Sequence, residues 1–301
     1  MHGWIILDKP LGLGSTQAVS AVKRALRNGG YPKVKVGHGG TLDPLATGVL
    51  PVALGEATKL AGRMLDASKI YDFTIRFGVQ TDTLDGEGVE IATSDVRPTR
   101  AAIEAVLPRF TGPIEQMPPA YSALKVDGKR AYTLARAGEE VVLKPRNVAV
   151  HSLLVDDLVY TRNDPEAVAE ITLSAHVSKG TYIRSLARDI ALMLDSVGHV
   201  TMLRRTKAGP FTLAQAISLD KLAEFSMARA LEDITLPLTA GLDDIPALSV
   251  TPDQARLLRQ GQVLIGITAH QGLHLATEAE TPVALVEVSG PEVRVVRGFN
   301  L

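Results

Sequence analysis

One segment concentrates residue types that can do chemistry. Residues 36–51, VGHGGTLDPLATGVLP, contain four glycines, one histidine and one aspartate. Glycine lets the backbone approach a ligand closely, and Pro44 biases the preceding Asp43 away from the α-helical region. A carboxylate on such a constrained loop is typical of a functional site. The alternative is a turn that Asp43 caps, with His38 bound to nearby backbone.

A second candidate is 178–184, SKGTYIR, which ends a predicted strand and opens a helix. Helical phase places Arg184 and Arg188 together, away from the apolar face. The free N–H groups of a helix start favour an anion, and an arginine there can bind a carboxylate through two hydrogen bonds. Alternatively, both arginines are surface charges and Tyr182 belongs to the core.

Other chemistries lack support in the sequence. The three carboxylates of 81–88, TDTLDGEG, lack the spacing of an EF-hand loop, so a solvated turn is expected there. Gln17 stands where a dinucleotide fingerprint beginning at Gly12 would need its third glycine. The chain has no cysteine, no zinc spacing among its seven histidines and no GxSxG elbow. No metal site, thiolate chemistry or serine hydrolysis is predicted.

Hydrophobic periodicity predicts strands and helices in irregular alternation, which favours an α+β fold over a doubly wound one. Residues 69–77 alternate strictly and place Tyr71, Phe73, Ile75 and Phe77 on one face. Further strands are predicted at 4–7, 144–160, 167–178, 283–288 and 293–297, and helices at 16–28 (capped by Ser15 or Thr16), 99–110, 130–138, 180–195 and 251–260.

Composition places the chain among globular proteins. It has 301 residues, 46% of them apolar and 22% charged, which excludes disordered, collagenous and coiled-coil classes. No targeting segment and no run of about 18 apolar residues appears, so a cytoplasmic protein without a membrane partner is expected. Prolines and glycines predict a boundary near 237–247. The short remainder is expected to pack on the main body.

Charge is unevenly distributed. Residues 1–65 hold eight Lys or Arg against three Asp or Glu, and residues 220–301 hold six against eleven, within a chain of net charge −1. A basic N-terminal part is compatible with a polyanion bound on one face, because affinity for nucleic acid follows local neutralisation of phosphate. Such a gradient is also common on ordinary solvated surfaces.

Taken in chain order, the motifs resemble the TruB family of tRNA pseudouridine synthases, which isomerise uridine 55 in the T loop. The resemblance spans about residues 1–225 and is carried by segments 7–10, 37–48, 69–71, 81–85, 121–125, 178–184 and 203–205. The loop 14–17, GSTQ, departs from the Thr-Ser-Asp or Thr-Ser-Asn of most members.

The resemblance implies the pseudouridine synthase fold. Residues 1–240 would form the catalytic domain, an α+β unit with a mixed, largely antiparallel central β-sheet flanked by helices and loops. Residues 246–301 would form a small, β-rich, divergent PUA-like RNA-binding domain.

By this resemblance Asp43 is the catalytic aspartate. Uracil must leave C1′ through N1, rotate and rejoin through C5, and a carboxylate beside C1′ can attack that carbon or remove the 2′ proton. Both routes stay open. Arg184 is expected to pair with Asp43. The reaction is redox-neutral and needs only acid–base and electrostatic assistance, so no cofactor and no metal are expected.

The resemblance also assigns the surroundings of the base. A uridine in folded tRNA must be flipped out, and Tyr71 is expected to stack on it with Tyr182 close by. His38 would lie at the gap left by flipped nucleotides, and Leu203 would pack on the base pocket. Candidate phosphate contacts, inferred from charge, are Lys9, Lys23, Arg24, Lys33, Lys35, Arg204, Arg205 and Lys207.

The expected partner is the T stem-loop of tRNA, bound by a monomer because tRNA itself supplies a large partner surface. The main alternative is a protein that binds or folds RNA, with catalysis secondary or lost. A glycosidase-like or phosphate-binding enzyme would need a second catalytic carboxylate or a complete phosphate loop, and neither emerges.

Overall fold

The computed structural model describes residues 1–122, 124–126, 128–139 and 141–301. Ala123, within the 121–125 motif, lies outside the described residues. In chain order the strands are β1 (Gly3–Lys9), β2 (Val36–His38), β3 (Ala46–Leu54), β4 (Lys69–Phe77), β5 (Val79–Thr81), β6 (Glu90–Thr93), β7 (Gly112–Gln116), β8 (Lys125–Val126), β9 (Lys129–Arg130), β10 (Arg146–Tyr160), β11 (Val168–Val177), β12 (Gly198–Ala208), β13 (Phe211–Thr212), β14 (Leu236–Pro237), β15 (Ala247–Ser249), β16 (Leu264–Ile265), β17 (Gly272–Glu278), β18 (Thr281–Ser289) and β19 (Glu292–Gly298). The α-helices are α1 (Ser15–Asn28), α2 (Ala61–Asp66), α3 (Arg100–Val106), α4 (Ala131–Arg136), α5 (Ile183–Met193), α6 (Leu219–Met227) and α7 (Pro252–Arg259).

The main sheet has the strand order β14-β1-β3-β12-β4-β11-β10-β7, with β2 added to β3 and β13 added to β12. The pairing of β3 with β12 is parallel, and the other pairings of this sheet are antiparallel. The mixed, largely antiparallel sheet and its helices confirm the predicted α+β class. Strand β12 lies between β3 and β4 and so joins the two halves of the sheet.

A glycine makes the parallel pairing possible. Gly48 on β3 pairs with Arg205 on β12 and has a φ of +98°. A Cβ on Gly48 would collide with the backbone carbonyl of Arg205. Only glycine combines this conformation with so close an approach of two backbones, which explains the last glycine of the 37–48 motif.

Two hydrophobic cores meet near the middle of the sheet. The first is formed where α5 and α3 pack beside β4, β10 and β11, and it contains the buried Phe73, Ile75 and Phe77 of the predicted alternating strand. The second is formed by α1 with β1 and β3. Tyr71 and Leu203 are half-buried and pack against both cores. Their side chains are therefore held at the junction of the cores.

The start of α1 differs from the prediction. Gly14 caps the helix, and its backbone N–H donates to Gln17 Oε1 at 2.8 Å. Ser15 lies inside the first turn, where its hydroxyl donates to the carbonyl of Leu42 at 2.9 Å and accepts from the Leu42 N–H at 2.7 Å. The Gln17 side chain therefore accepts the hydrogen bond from the N-cap residue. The Ser15 hydroxyl is used instead to bind α1 to the loop before β3.

The C-terminal segment forms a second sheet, of order β15-β17-β18-β19-β16, with α7 packed on it. Leu275, Leu285 and Phe299 from this segment share one core with Trp4 and Phe211 of the main body. The segment therefore packs on the main body, as its short length predicts. None of the helices within the described ranges is long and apolar enough to cross a membrane.

Candidate active site

A cavity of about 290 Å³ opens where the loop before β3 meets β4, β12 and the start of α5. Six of the predicted site residues line it: Asp43, Tyr71, Tyr182, Arg184, Leu203 and Arg205. They come from four separate segments of the chain, which the sheet brings together.

Arg184 organises the cavity wall. Its Nη2 lies 2.8 Å from Asp43 Oδ2, and its Nη1 lies 3.4 Å from Asp85 Oδ2. The same guanidinium donates to the carbonyls of Thr83 at 2.7 Å and Tyr121 at 2.9 Å. The side chain of Arg184 is 6% exposed, whereas that of Asp43 is 42% exposed. The arginine is thus fixed inside the protein, and the carboxylate that it holds opens into the cavity.

The 81–88 turn is not the solvated turn that its composition suggests. The side chain of Asp85 is buried, pairs with Arg184 and accepts from Thr83 Oγ1 at 2.6 Å. Asp82 accepts from the hydroxyl of Tyr121 at 3.0 Å. A buried guanidinium needs compensating anions and acceptors, and this turn supplies them. Sequence analysis did not assign Asp85 to the site.

Arg205 stabilises the glycine-rich loop before β3 through hydrogen bonds to its backbone. Its side chain is buried, and it donates to the carbonyls of Val49 at 2.7 Å, Gly40 at 3.2 Å and Thr41 at 3.3 Å. Its guanidinium carbon lies 6.0 Å from the centre of the Tyr71 ring. The prediction that Arg205 contacts phosphate is therefore wrong, because its donors are directed at the protein's own backbone.

Lys9 requires the same correction. It is fully buried, and its ammonium group donates to the carbonyls of Leu13 at 2.6 Å, Pro10 at 3.0 Å and Pro44 at 3.3 Å. All three protons of the ammonium group are used within the protein, so none reaches an RNA phosphate. Burial lowers the pKa of Lys9 to about 8. Lys9 thus ties the turn after β1 to the loop that carries Asp43.

Lys69 is a fourth buried cation, and sequence analysis gave it no role. Its ammonium group donates to the carbonyls of Ala67 at 2.6 Å, Leu65 at 2.7 Å and Met64 at 2.8 Å, which close the end of α2. It also lines the cavity. Burial, helped by the positive charge of Arg205, lowers the pKa of Lys69 to about 8.

We expect stability to rise with pH above about 8. The pKa of Lys69 falls from 10.5 to about 8 on folding, so between these values the unfolded chain retains a proton that the folded chain has lost. The free energy of unfolding then increases with pH, and below pH 8 the penalty of the buried charge is fully present. Denaturant unfolding from pH 7 to 10 should show this slope, and Lys69→Met should reduce it. An unchanged slope would contradict the buried-cation assignment.

His38 does not line the cavity with the others. It lies in an adjoining chamber of about 670 Å³ on the other side of Asp43, which Tyr121 and Arg184 also line. Its Nδ1 is buried and has no hydrogen-bond partner among the residues that the structure covers. Burial and the charge of Arg205 lower the pKa of His38, so the imidazole is neutral at neutral pH.

Tyr182 stands at the start of α5, where its backbone N–H donates to Gln116 Oε1 at 2.8 Å. Burial raises the pKa of the Tyr182 phenol, so the hydroxyl keeps its proton. The exposed guanidinium of Arg146 on β10 lies close to Gly180 in the preceding turn. Sequence analysis missed Arg146, because β10 is remote in sequence from the motif that it approaches.

The other predicted cations lie on the surface. Lys23, Arg24, Lys33, Lys35 and Lys207 are exposed. Arg204 is half-exposed, and its guanidinium binds both carboxylate oxygens of Asp8, at 2.8 and 3.1 Å.

Comparison with known proteins decides the family. The family description "TruB family pseudouridylate synthase (N terminal domain)" matches residues 24–183, and "tRNA pseudouridylate synthase B C-terminal domain" matches residues 184–243. The chain belongs to the TruB family. The two TruB matches meet between Ile183 and Arg184 and end before β15 begins.

Curated relatives of this TruB-family chain match over its whole length. The "tRNA pseudouridine synthase B" of Zymomonas mobilis is 63% identical, with 100% of this chain and 96% of the relative covered. The protein of the same name from Novosphingobium aromaticivorans is 62% identical, with 100% and 98% covered.

Solved structures confirm the pseudouridine synthase fold of the TruB-family chain. A chain of a Cbf5-Nop10-Gar1 complex aligns with a TM-score of 0.72 and 26% identity, covering 99% of this chain and 85% of the other. A chain of an H/ACA RNP bound to a substrate RNA containing 2′-deoxyuridine aligns with a TM-score of 0.72 and 24% identity, covering 99% and 85%, which is a likeness of fold alone.

Proposed function

We propose that the chain isomerises uridine 55 in the T loop of tRNA to pseudouridine, with Asp43 as the catalytic residue. The observation that carries this proposal is the carboxylate of Asp43, which a buried guanidinium holds at 2.8 Å while 42% of its side chain remains exposed at the cavity. The printed name of the curated relatives, tRNA pseudouridine synthase B, supports tRNA as the substrate.

The cavity residues suit each step of this reaction. When the bond between C1′ and N1 breaks, its electron pair goes to N1, and Asp43 attacks C1′ or removes the 2′ proton. The detached uracil rotates and C5 bonds to C1′, while the Asp43–C1′ bond breaks in the first route or Asp43 returns the 2′ proton in the second. The proton on C5 is then lost and N1 gains one. Tyr71 offers a face on which the flipped base stacks, and Leu203 adds an apolar side chain to the same cavity. Tyr182 keeps a protonated hydroxyl at the cavity, which can position or relay a proton.

Binding of tRNA would use the exposed cations and the C-terminal segment. Lys23, Arg24, Lys33, Lys35 and Lys207 are free to contact phosphate, and Arg204 could do so only by sharing its guanidinium with Asp8. We assign residues 246–301 to a PUA-like RNA-binding domain that follows a catalytic domain of residues 1–240. We expect a monomer that acts in the cytoplasm and needs no metal or cofactor.

Tritium release tests the proposal. A tRNA transcript that carries tritium at uracil C5 is incubated with the protein in excess EDTA. Formation of the new carbon–carbon bond must expel that hydrogen, so about one equivalent from uridine 55 is expected. A transcript with cytidine at position 55 should release none above its background. Binding without release would instead favour a protein that binds or folds RNA.

Tyr71 provides a prediction about the base. Tyr71→Leu removes the aromatic face, and loss of a base–aromatic stack costs about 1–3 kcal/mol. We expect the rate of tritium release at subsaturating tRNA to fall roughly 5- to 150-fold. Tyr71→Phe keeps the ring and should retain most of the activity. Equal losses in the two variants would show that the hydroxyl, which lies 3.5 Å from Arg205 Nη1, matters more than the ring.

A further inference from the structure

A groove distinct from the catalytic cavity runs between the second half of α1 and the segment that leads into β2. Its volume is about 630 Å³. Apolar side chains form its floor, and Lys23, Arg27, Lys33 and Lys35 form an exposed rim. The apolar residues of the floor are Leu26, Tyr31, Val34 and Val36. The groove thus combines an apolar base with four cations.

The rim charges are uncompensated. Within the ranges that the structure describes, no carboxylate lies within 4.0 Å of the four rim cations, although twelve ion pairs are formed elsewhere. Glu232 lies beside the groove, where it accepts a hydrogen bond from the hydroxyl of Tyr31 at 2.5 Å. The Tyr31 hydroxyl also accepts from the N–H of Leu231 at 3.0 Å, which fixes that wall. A polyanion with flat apolar groups would complement this surface.

Helix α1 sets the distance between the groove and the catalytic loop. The helix starts at the loop, through the two hydrogen bonds between Ser15 and Leu42. At 1.5 Å per residue, Lys23 lies about 12 Å and Arg27 about 18 Å farther along the axis. The groove is therefore too far away to hold the nucleotide whose C1′ faces Asp43.

We propose that this groove binds an RNA segment of the same tRNA outside the stem-loop that carries the target uridine. The rim cations contact phosphates of that segment, and unpaired bases rest on the apolar floor. This inference rests on the proposed function for the identity of the RNA. It adds a second RNA-binding site to the cavity of that proposed function.

The test compares two RNAs bound to one protein. Dissociation constants are measured for a full-length tRNA transcript and for the isolated T stem-loop, with the Asp43→Asn protein so that no turnover occurs. The affinity ratio of the two RNAs is then measured again after Lys33→Gln with Lys35→Gln. The matched control is Arg100→Gln with Arg162→Gln. These two arginines lie near the β10–β11 turn, about 23 Å along β11 from the position paired with Tyr71.

We expect the Asp43→Asn protein with both lysines to bind the full tRNA more tightly than the isolated stem-loop. The variant without Lys33 and Lys35 should lose most of this difference in affinity. Its salt slope for full tRNA should fall by about two, one for each lost phosphate contact. The control pair should leave the affinity ratio unchanged. No preference in the original protein, or the same ratio after the lysine change, would overturn the proposal. Since binding is measured without turnover, this result is independent of the tritium assay.

Discussion

Asp43→Asn should abolish tritium release from the labelled tRNA while the protein still folds and binds RNA. The amide is nearly the same size as the carboxylate, so Arg184 and the loop before β3 keep their places, but it can neither attack C1′ nor accept the 2′ proton. We expect a fall of at least about 10³-fold in single-turnover rate. The dissociation constant for tRNA should change little, because a negative charge near the RNA is removed and no phosphate contact is lost.

Asp66→Asn is a suitable control for this result. Asp66 is an exposed carboxylate that pairs with Lys179 at 2.9 Å and does not line the cavity that contains Asp43. Its variant should keep tritium release within about twofold, since an exposed pair contributes little to the structure. Full activity of Asp43→Asn would remove the basis of the proposed chemistry, whatever the RNA affinity.

Arg184→Met should damage both catalysis and stability. The change leaves Asp85, whose side chain is 7% exposed, without its cation, and it also leaves two partly buried carbonyl acceptors without a donor. Breaking a buried pair in this way costs about 3–5 kcal/mol in the free energy of unfolding. Asp43 also loses the group that aims it, so we expect activity to fall by at least about 100-fold.

A second substitution separates the two effects. Asp85→Asn, added to Arg184→Met, removes the unpaired buried charge and should recover part of the lost unfolding free energy without restoring activity. Arg188→Met, one turn later on α5, removes a partly exposed pair with Asp189 and should cost about 1 kcal/mol or less. If Arg184→Met were as stable as the unchanged protein, the burial of this network would be wrong. Recovery of activity in the double variant would show that Arg184 acts only through Asp85.

The parts of the fold that depend on local pattern could be predicted from the sequence. The alternation over 69–77 predicts β4, with Phe73, Ile75 and Phe77 buried as expected. The helical spacing over 180–195 predicts α5. The pairing of Asp43 with Arg184, which lie 2.8 Å apart, was implied by the resemblance to the TruB family, whereas residue types alone left Arg184 open as a surface charge.

The contacts that could not be predicted from the sequence are hydrogen bonds from buried cations to backbone carbonyl groups of other segments. Lys9 and Arg205 look like phosphate contacts in a basic region, yet each is buried against backbone oxygens. Backbone carbonyls occur at every residue and leave no mark in the sequence. Asp85 was missed for a related reason, since its partner Arg184 is about a hundred residues away in the chain.

The position of β12 has a consequence for synthesis. Asp43 lies in the loop before β3, in one half of the main sheet, and Tyr71 lies on β4 in the other; β12, which joins these halves, ends only at Ala208. At roughly 5–20 residues per second, on the order of ten seconds separate the synthesis of β4 from that of β12. During that time Asp43 and Tyr71 belong to two sheet halves that are not yet joined, and the open strand edges of these halves can pair wrongly. A chain that ends before β12 should therefore contain Asp43 and Tyr71 but lack the cavity that both residues line.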